Sequence, residues 1–192
     1  MKIAIADFET TGLPEYKMPS AGNNQPYMVS ATVILRNGPH VQTSWSSVIT
    51  SPVTSDEEAF QAHGLTPDYL TEYGVSPVKG VLNVWKLVSQ ADLFVAHNAY
   101  FDYRILRTAL KRFLSEAAAE EFKEMPRYCT MNNFGKWKGL KRFDKGKDLD
   151  SASEGLCNLP KREGNHGSFE DAWRCMKCFD ALVDLGFGPD KE

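Results

Sequence analysis

The chain has 192 residues, 42% of them hydrophobic, with a formal net charge of −3. That length supports one sizeable core, and with no linker-like or low-complexity stretch a single domain over residues 1–192 is expected. No run of about 18 apolar residues and no charged-then-apolar leader is present, so neither a membrane span nor a signal peptide is indicated and a cytoplasmic protein is expected. The charge gives no global attraction to nucleic acid, and any such binding needs local basic patches or bound cations. Cys129, Cys157, Cys175 and Cys178 are too few and too irregular for a disulfide framework. Cys175-x-x-Cys178 sits in a helical pattern and is a weak zinc signal beside the alternative of packed free thiols.

In chain order, Met1 to Ala6 is an apolar run that reads as a buried strand, closed by Gly12 and Pro14. Asp7 and Glu9 follow it and share one face, because strand side chains alternate. Tyr27–Leu35 and Val41–Ile49, joined by Asn37-Gly38, predict an antiparallel hairpin. Ser55-Asp56-Glu57-Glu58 has the form of a capping box and opens a helix stopped by Gly64. Thr66-Pro67 starts another that ends at Gly74, and Ser76-Pro77 a longer one with Val78, Val81, Leu82, Trp85 and Val88 at helical spacing. Asp92–Ala96 is a second strand-like run. His97-Asn98 and a helix over Tyr100–Phe113 follow, then an Ala/Glu-rich helix over Ser115–Lys123, a short strand at Arg127–Thr130, and a last helix over Phe169–Leu185. The order fits an α/β protein with a mixed sheet and helices on its faces, whose sites form beyond the carboxyl ends of strands.

Four acids stand where elements begin or end: Asp7, Glu9, Asp102 in the turn after the Asp92–Ala96 strand, and Asp171 in the first turn of the last helix. Two unit charges at about 4 Å cost on the order of 4 kcal/mol at an effective dielectric of about 20, so four carboxylates in one pocket require protonation or cations. Mg²⁺ and Mn²⁺ prefer oxygen ligands, and two such ions about 3.5 to 4 Å apart can hold both the attacking water and the leaving oxygen of a phosphodiester. His166, in the flexible stretch Gly164-Asn165-His166-Gly167-Ser168, is suited to take a proton near neutral pH. The competing reading of Ser168 with Asp171 is a capping box, with the acid on a backbone amide instead of a metal.

Asp7-Phe8-Glu9-Thr10-Thr11-Gly12-Leu13, His97-Asn98-Ala99-Tyr100-Phe101-Asp102 and His166-Gly167-Ser168-Phe169-Glu170-Asp171 resemble the three motifs of the DEDDh (DnaQ-like) exonucleases, a family that includes the proofreading ε subunit of bacterial replicative polymerase. Ala62-His63-Gly64-Leu65-Thr66 is similar to the family's loop between the first two motifs. The resemblance implies a ribonuclease H-like mixed five-stranded sheet with helices on both faces and 3′-to-5′ removal of nucleoside 5′-monophosphates through two metal ions. By position it makes Asp7, Glu9, Asp102 and Asp171 the metal ligands and His166 the general base. It also maps a terminal-nucleotide pocket onto Thr11, Leu13, His63, Asn98 and Phe101. His63 has the alternative of an ordinary histidine at a helix C-terminus, and His97 is expected to support the strand end.

The most basic stretch, Phe134–Lys147, interleaves Lys136, Lys138, Lys141, Arg142, Lys145 and Lys147 with Trp137 and Phe143. Cations with aromatic platforms suit single-stranded nucleic acid, and a solvated charged loop is the alternative. The expected substrate is therefore a single-stranded DNA or frayed 3′ end. RNA trimming is the runner-up, and a polymerase-associated binding module with vestigial chemistry a third reading. No membrane partner is expected, and neither homodimerisation nor polymerase association has a sequence signature here. The short run from Gly186 to Glu192 after the last helix offers no partner-binding tail, which favours a stand-alone enzyme.

Overall fold

The computed structural model describes residues 1–20, 22 and 24–189, so Asp190 to Glu192 of the short run after the last helix lie outside it. Strand β1 (Lys2–Thr10) runs past the apolar stretch and carries Asp7 and Glu9 within it. It pairs antiparallel with β2 (Met28–Asn37), which pairs antiparallel with β3 (His40–Val48). The central residues of the connecting turn are Gly38 and Pro39, not Asn37 and Gly38. Asn37 pairs with His40, and Gly38, at φ +55°, supplies the positive φ needed at the first turn position.

Three helices follow: α1 (Glu57–His63), α2 (Pro67–Tyr73) and α3 (Pro77–Val88). Asp56, and not Ser55, caps α1 by accepting from Ala59 N–H, while the Ser55 hydroxyl bonds His63 instead. The chain then crosses over to β4 (Leu93–Ala96), parallel to β1 and buried throughout, as a central parallel strand requires. After α4 (Ala99–Phe113) and α5 (Glu116–Glu124) comes β5 (Arg127–Cys129), parallel to β4. The five-stranded sheet has the order β3-β2-β1-β4-β5. Two helices beyond the sequence reading, α6 (Thr130–Trp137) and α7 (Leu149–Cys157), precede α8 (Ser168–Asp184).

Alternation sorts the core into two layers. Ala4, Ala6 and Phe8 of β1 face α3, α4 and α5 with Val33, Phe94, Leu106 and Phe122. Ile3 and Ile5 face the other way, toward α6, α7 and α8, with Val95, Phe134, Ala152 and Phe179. Cys175 and Cys178 are buried free thiols in this second layer. Among the described residues no helix is long and apolar enough to cross a membrane.

Candidate active site

Asp7 and Glu9 continue the Ile3–Ile5 stripe of β1, so they point toward α8 beyond the point where the apolar contacts end. Their β2 partners are Thr32 and Ser30. Both hydroxyls meet the Ser168 hydroxyl, at 2.9 and 2.7 Å, in the first turn of α8. This three-hydroxyl clamp fixes the helix start against the sheet and sets Asp171 one turn further on, beside the strand carboxylates. No capping box forms: Gly167 is the cap, Asp171 N–H bonds Gly167 O, and Ser168 is taken by the clamp.

Asp7, Glu9 and Asp171 each present a carboxylate oxygen within 4.8 Å of the others. Asp102, buried in the first turn of α4, lines the same cleft of about 330 Å³, as do His166, Asn98 and Phe101. Burial, then the charges of Asp102 and Glu9, hold the Asp7 carboxyl well above the usual carboxylate range. Burial also raises Asp102 and Glu9. The arrangement demands positive charge. Arg162, its side chain 6% exposed, supplies one: it ion-pairs with Asp171 and reaches Asp150 at 2.7 Å. Asp171 Oδ1 is buried against that guanidinium. An all-oxygen set of crowded, under-compensated carboxylates fits hard divalent cations.

His166 Nδ1 lies 3.4 Å from Asp171 and 3.4 Å from Arg162. Burial, then the Arg162 charge, lowers its pKa, which favours the neutral, proton-accepting form near pH 7. Its loop is held to α1 by the bond from His166 N–H to Ala62 O. Gly64 permits the approach: at φ +66° it leaves room for Asn165, whose side-chain nitrogen would sit 1.8 Å from a β-carbon there.

The residues expected around a terminal nucleotide divide into two groups. Leu13, His63 and Phe101 line a pocket of about 190 Å³ that shares Glu9, Ala62 and Phe101 with the acidic cleft. His63 is buried, bonded to Ser55 and to Leu65 N–H. Asn98, at φ 66°, lines the acidic cleft and not this pocket. Thr11 lies apart, its hydroxyl accepting from Tyr27 N–H. His97 bonds Thr130 and Lys147 O, and burial lowers its pKa to about 4, a supporting role at the strand end.

Sequence reasoning missed Arg162, Asp150 and the Ser30–Thr32 pair. The pair leaves a readable trace, two polar residues at alternate positions of a strand that is otherwise apolar from Met28 to Leu35. Arg162 leaves none, since its role depends on a fold that brings it beside Asp171.

The chain superposes on exonuclease I of E. coli in its zinc-bound complex with single-stranded DNA, at TM-score 0.75 and 12% identity over 96% of this chain and 40% of that one. An apo exonuclease I structure gives 0.69 and 14% over 96% and 42%. A 3′-exonuclease solved in recognition of a histone mRNA stem-loop gives 0.65 and 12% over 95% and 64%. This chain thus spans about 40% of the exonuclease I chain. No curated protein sequence matches it. The exonuclease family model RNase_T matches residues 4–179, including every carboxylate of the cleft and His166, and the chain belongs to that exonuclease family.

Proposed function

We propose that this chain is one DEDDh exonuclease domain that removes nucleotides from the 3′ ends of single-stranded DNA or frayed duplexes, releasing nucleoside 5′-monophosphates. Asp7, Glu9, Asp102 and Asp171 hold two divalent cations, Mg²⁺ or Mn²⁺. Cations held there supply the charge that stabilises the entering and departing oxygens of an in-line displacement. His166, half exposed on its loop, takes the proton of the attacking water. Leu13 and Phe101 offer apolar faces to the terminal base, and His63 and Asn98 border them. Thr11 contributes indirectly, by holding Tyr27. Four free thiols suit a reducing cytoplasm.

The observation that carries this reading is the convergence of four acids and a histidine from β1, α4, the loop before α8 and α8 itself on one cleft beside an apolar pocket. The DNA-bound exonuclease I likeness supports single-stranded DNA, and the stem-loop likeness supports RNA as the second reading. The test is 5′-labelled DNA and RNA of one sequence with Mg²⁺, Mn²⁺ or EDTA, against Asp7→Ala. A product ladder absent with EDTA and with the variant is expected. Metal-independent cleavage, or a variant as active as wild type, overturns the proposal. Binding without cleavage under every condition would leave only a nucleic-acid-binding module.

A further inference from the structure

β5 is an edge strand, paired on one side only. Beside it runs a groove of about 1120 Å³, and Asn98 and Met131 line both this groove and the acidic cleft, so the two adjoin. In a chain with 25 acidic and 22 basic residues, the groove wall carries, among the described residues, no Asp or Glu and five cations: Arg127, Lys136, Lys141, Arg142 and Lys147. Two of these have structural partners. Lys147 Nζ donates to Lys141 O and Arg142 O, and the Arg127 guanidinium lies 3.9 Å over the Tyr103 ring. Lys136, Lys141 and Arg142 form no ion pair among the described residues.

Between them stands Phe143, 89% exposed and backed by Arg142 at 5.5 Å. A large apolar ring held in solvent at the wall of a cationic groove contributes nothing to the core and is placed for a ligand with a flat face. Exposed Tyr100, which lines the groove two residues beyond the shared Asn98, stacks on Tyr16 with centroids 4.9 Å apart. The basic stretch of the sequence therefore splits. Trp137 stacks on Phe134, Lys138 lies over the same ring, and neither lines the groove; Lys145 is also outside it.

We infer that the β5-edge groove carries the single strand upstream of the scissile nucleotide, its phosphates on Lys136, Lys141 and Arg142 and a base on Phe143, with Tyr100 at the entry. The chemistry is that of single-strand channels, cations that neutralise a backbone and rings on which unpaired bases stack. An acidic peptide would use the cations but leave Phe143 and Tyr100 without a purpose. The direction of the strand, though not its binding, rests on the proposed 3′-end hydrolysis.

The test compares two charge-matched variants, Lys136→Glu/Arg142→Glu in the groove and Lys138→Glu/Lys145→Glu outside it. Binding of fluorescent oligothymidylate and oligouridylate is read by anisotropy in EDTA over a range of salt. Each phosphate contact contributes about 0.7 to the single-strand salt slope, so the groove variant should bind about tenfold or more weakly with a slope shallower by about 1.4. The outside variant should keep the wild-type slope. Phe143→Ala should weaken binding about fivefold or more with the slope unchanged. With Mg²⁺, the groove variant should lose about tenfold more kcat/KM on a long oligonucleotide than on the p-nitrophenyl ester of thymidine 5′-monophosphate, which is too short to enter the groove.

Equal effects of the two double variants, or a wild-type slope in both, overturn the groove while leaving the exonuclease proposal standing. A wild type that hydrolyses neither substrate overturns the exonuclease proposal, and the anisotropy arm still decides the groove. Binding confined to one of the two oligonucleotides supports the groove and identifies which nucleic acid it takes.

Discussion

The even- and odd-numbered residues of β1 make two different surfaces from one strand. Ala4, Ala6 and Phe8 are buried in an apolar layer that stays apolar as far as Phe8. Ile3 and Ile5 begin the same way on the opposite face, but Asp7 and Glu9 replace the next two hydrophobes. Stability and chemistry therefore share a backbone while using separate faces, and the carboxylates can repel one another without loosening the layer behind them.

If that division is right, a change on the odd face should damage activity and spare the fold. Asp7→Asn removes a charge that burial and its neighbours oppose. Its kcat/KM should fall about a thousandfold or more, since several kcal/mol of transition-state stabilisation are lost. Its Tm in EDTA should equal or exceed that of wild type, as read by thermal scan. A fall in both would mean that the two faces are coupled.

The converse change lies in the apolar layer. Phe94 is fully buried and meets Phe122 edge-on at 5.1 Å. Phe94→Ala should cost about 3 to 5 kcal/mol in urea unfolding. The metal-induced rise in Tm should persist in this variant, because the carboxylates are untouched.

His97 is a boundary case, half-buried between the sheet end and the Lys147 carbonyl. Its pKa is lowered to about 4 from 6.5, so the unfolded chain binds the extra proton first as pH falls. The stability at neutral pH is therefore lost as pH falls from about 6.5 to about 4. Relative to His97→Gln, which cannot charge, wild type should lose about 3 kcal/mol across that window. A pH-independent difference would place the histidine in water.

Metal should stabilise by relieving the repulsion on the odd face. Mg²⁺ or Mn²⁺ at about ten times its Kd should raise Tm by about 3 to 5 °C. The rise should shrink in Asp7→Asn, and a scan indifferent to metal would argue against a formed cluster. The smallest effect is expected at the clamp, where Ser168→Ala should cost about 1 to 2 kcal/mol.

The features legible in the sequence were those set by short range. Alternation alone placed Asp7 and Glu9 on one face, and the Pro and Ser/Thr starts of α2 and α3 were read correctly. The start of α1 slipped by one residue because Ser55 and Asp56 are both good caps, and only the tertiary bond to His63 removes Ser55 from the choice. α6 follows β5 directly with no side-chain cap and contains Gly135, so no start signal marks it. α7 has a readable cap, Asp148 accepting from Ser151 N–H, but it is short, contains Gly155 and adjoins the basic stretch that masked it. The basic stretch with Phe143 was legible as a patch, but which of its residues line the groove, like the place of Arg162 beside Asp171, depends on contacts distant in sequence.

The three hydroxyls that join Ser30, Thr32 and Ser168 carry no charge at any physiological pH. The joint that aims Asp171 is therefore indifferent to whether the neighbouring acids are protonated, ionised or neutralised by cations. A charged joint in the same place would have shifted with every change in the site's own charge. With neutral hydroxyls, the framework can stay in register while the electrostatic state it supports changes through each turnover.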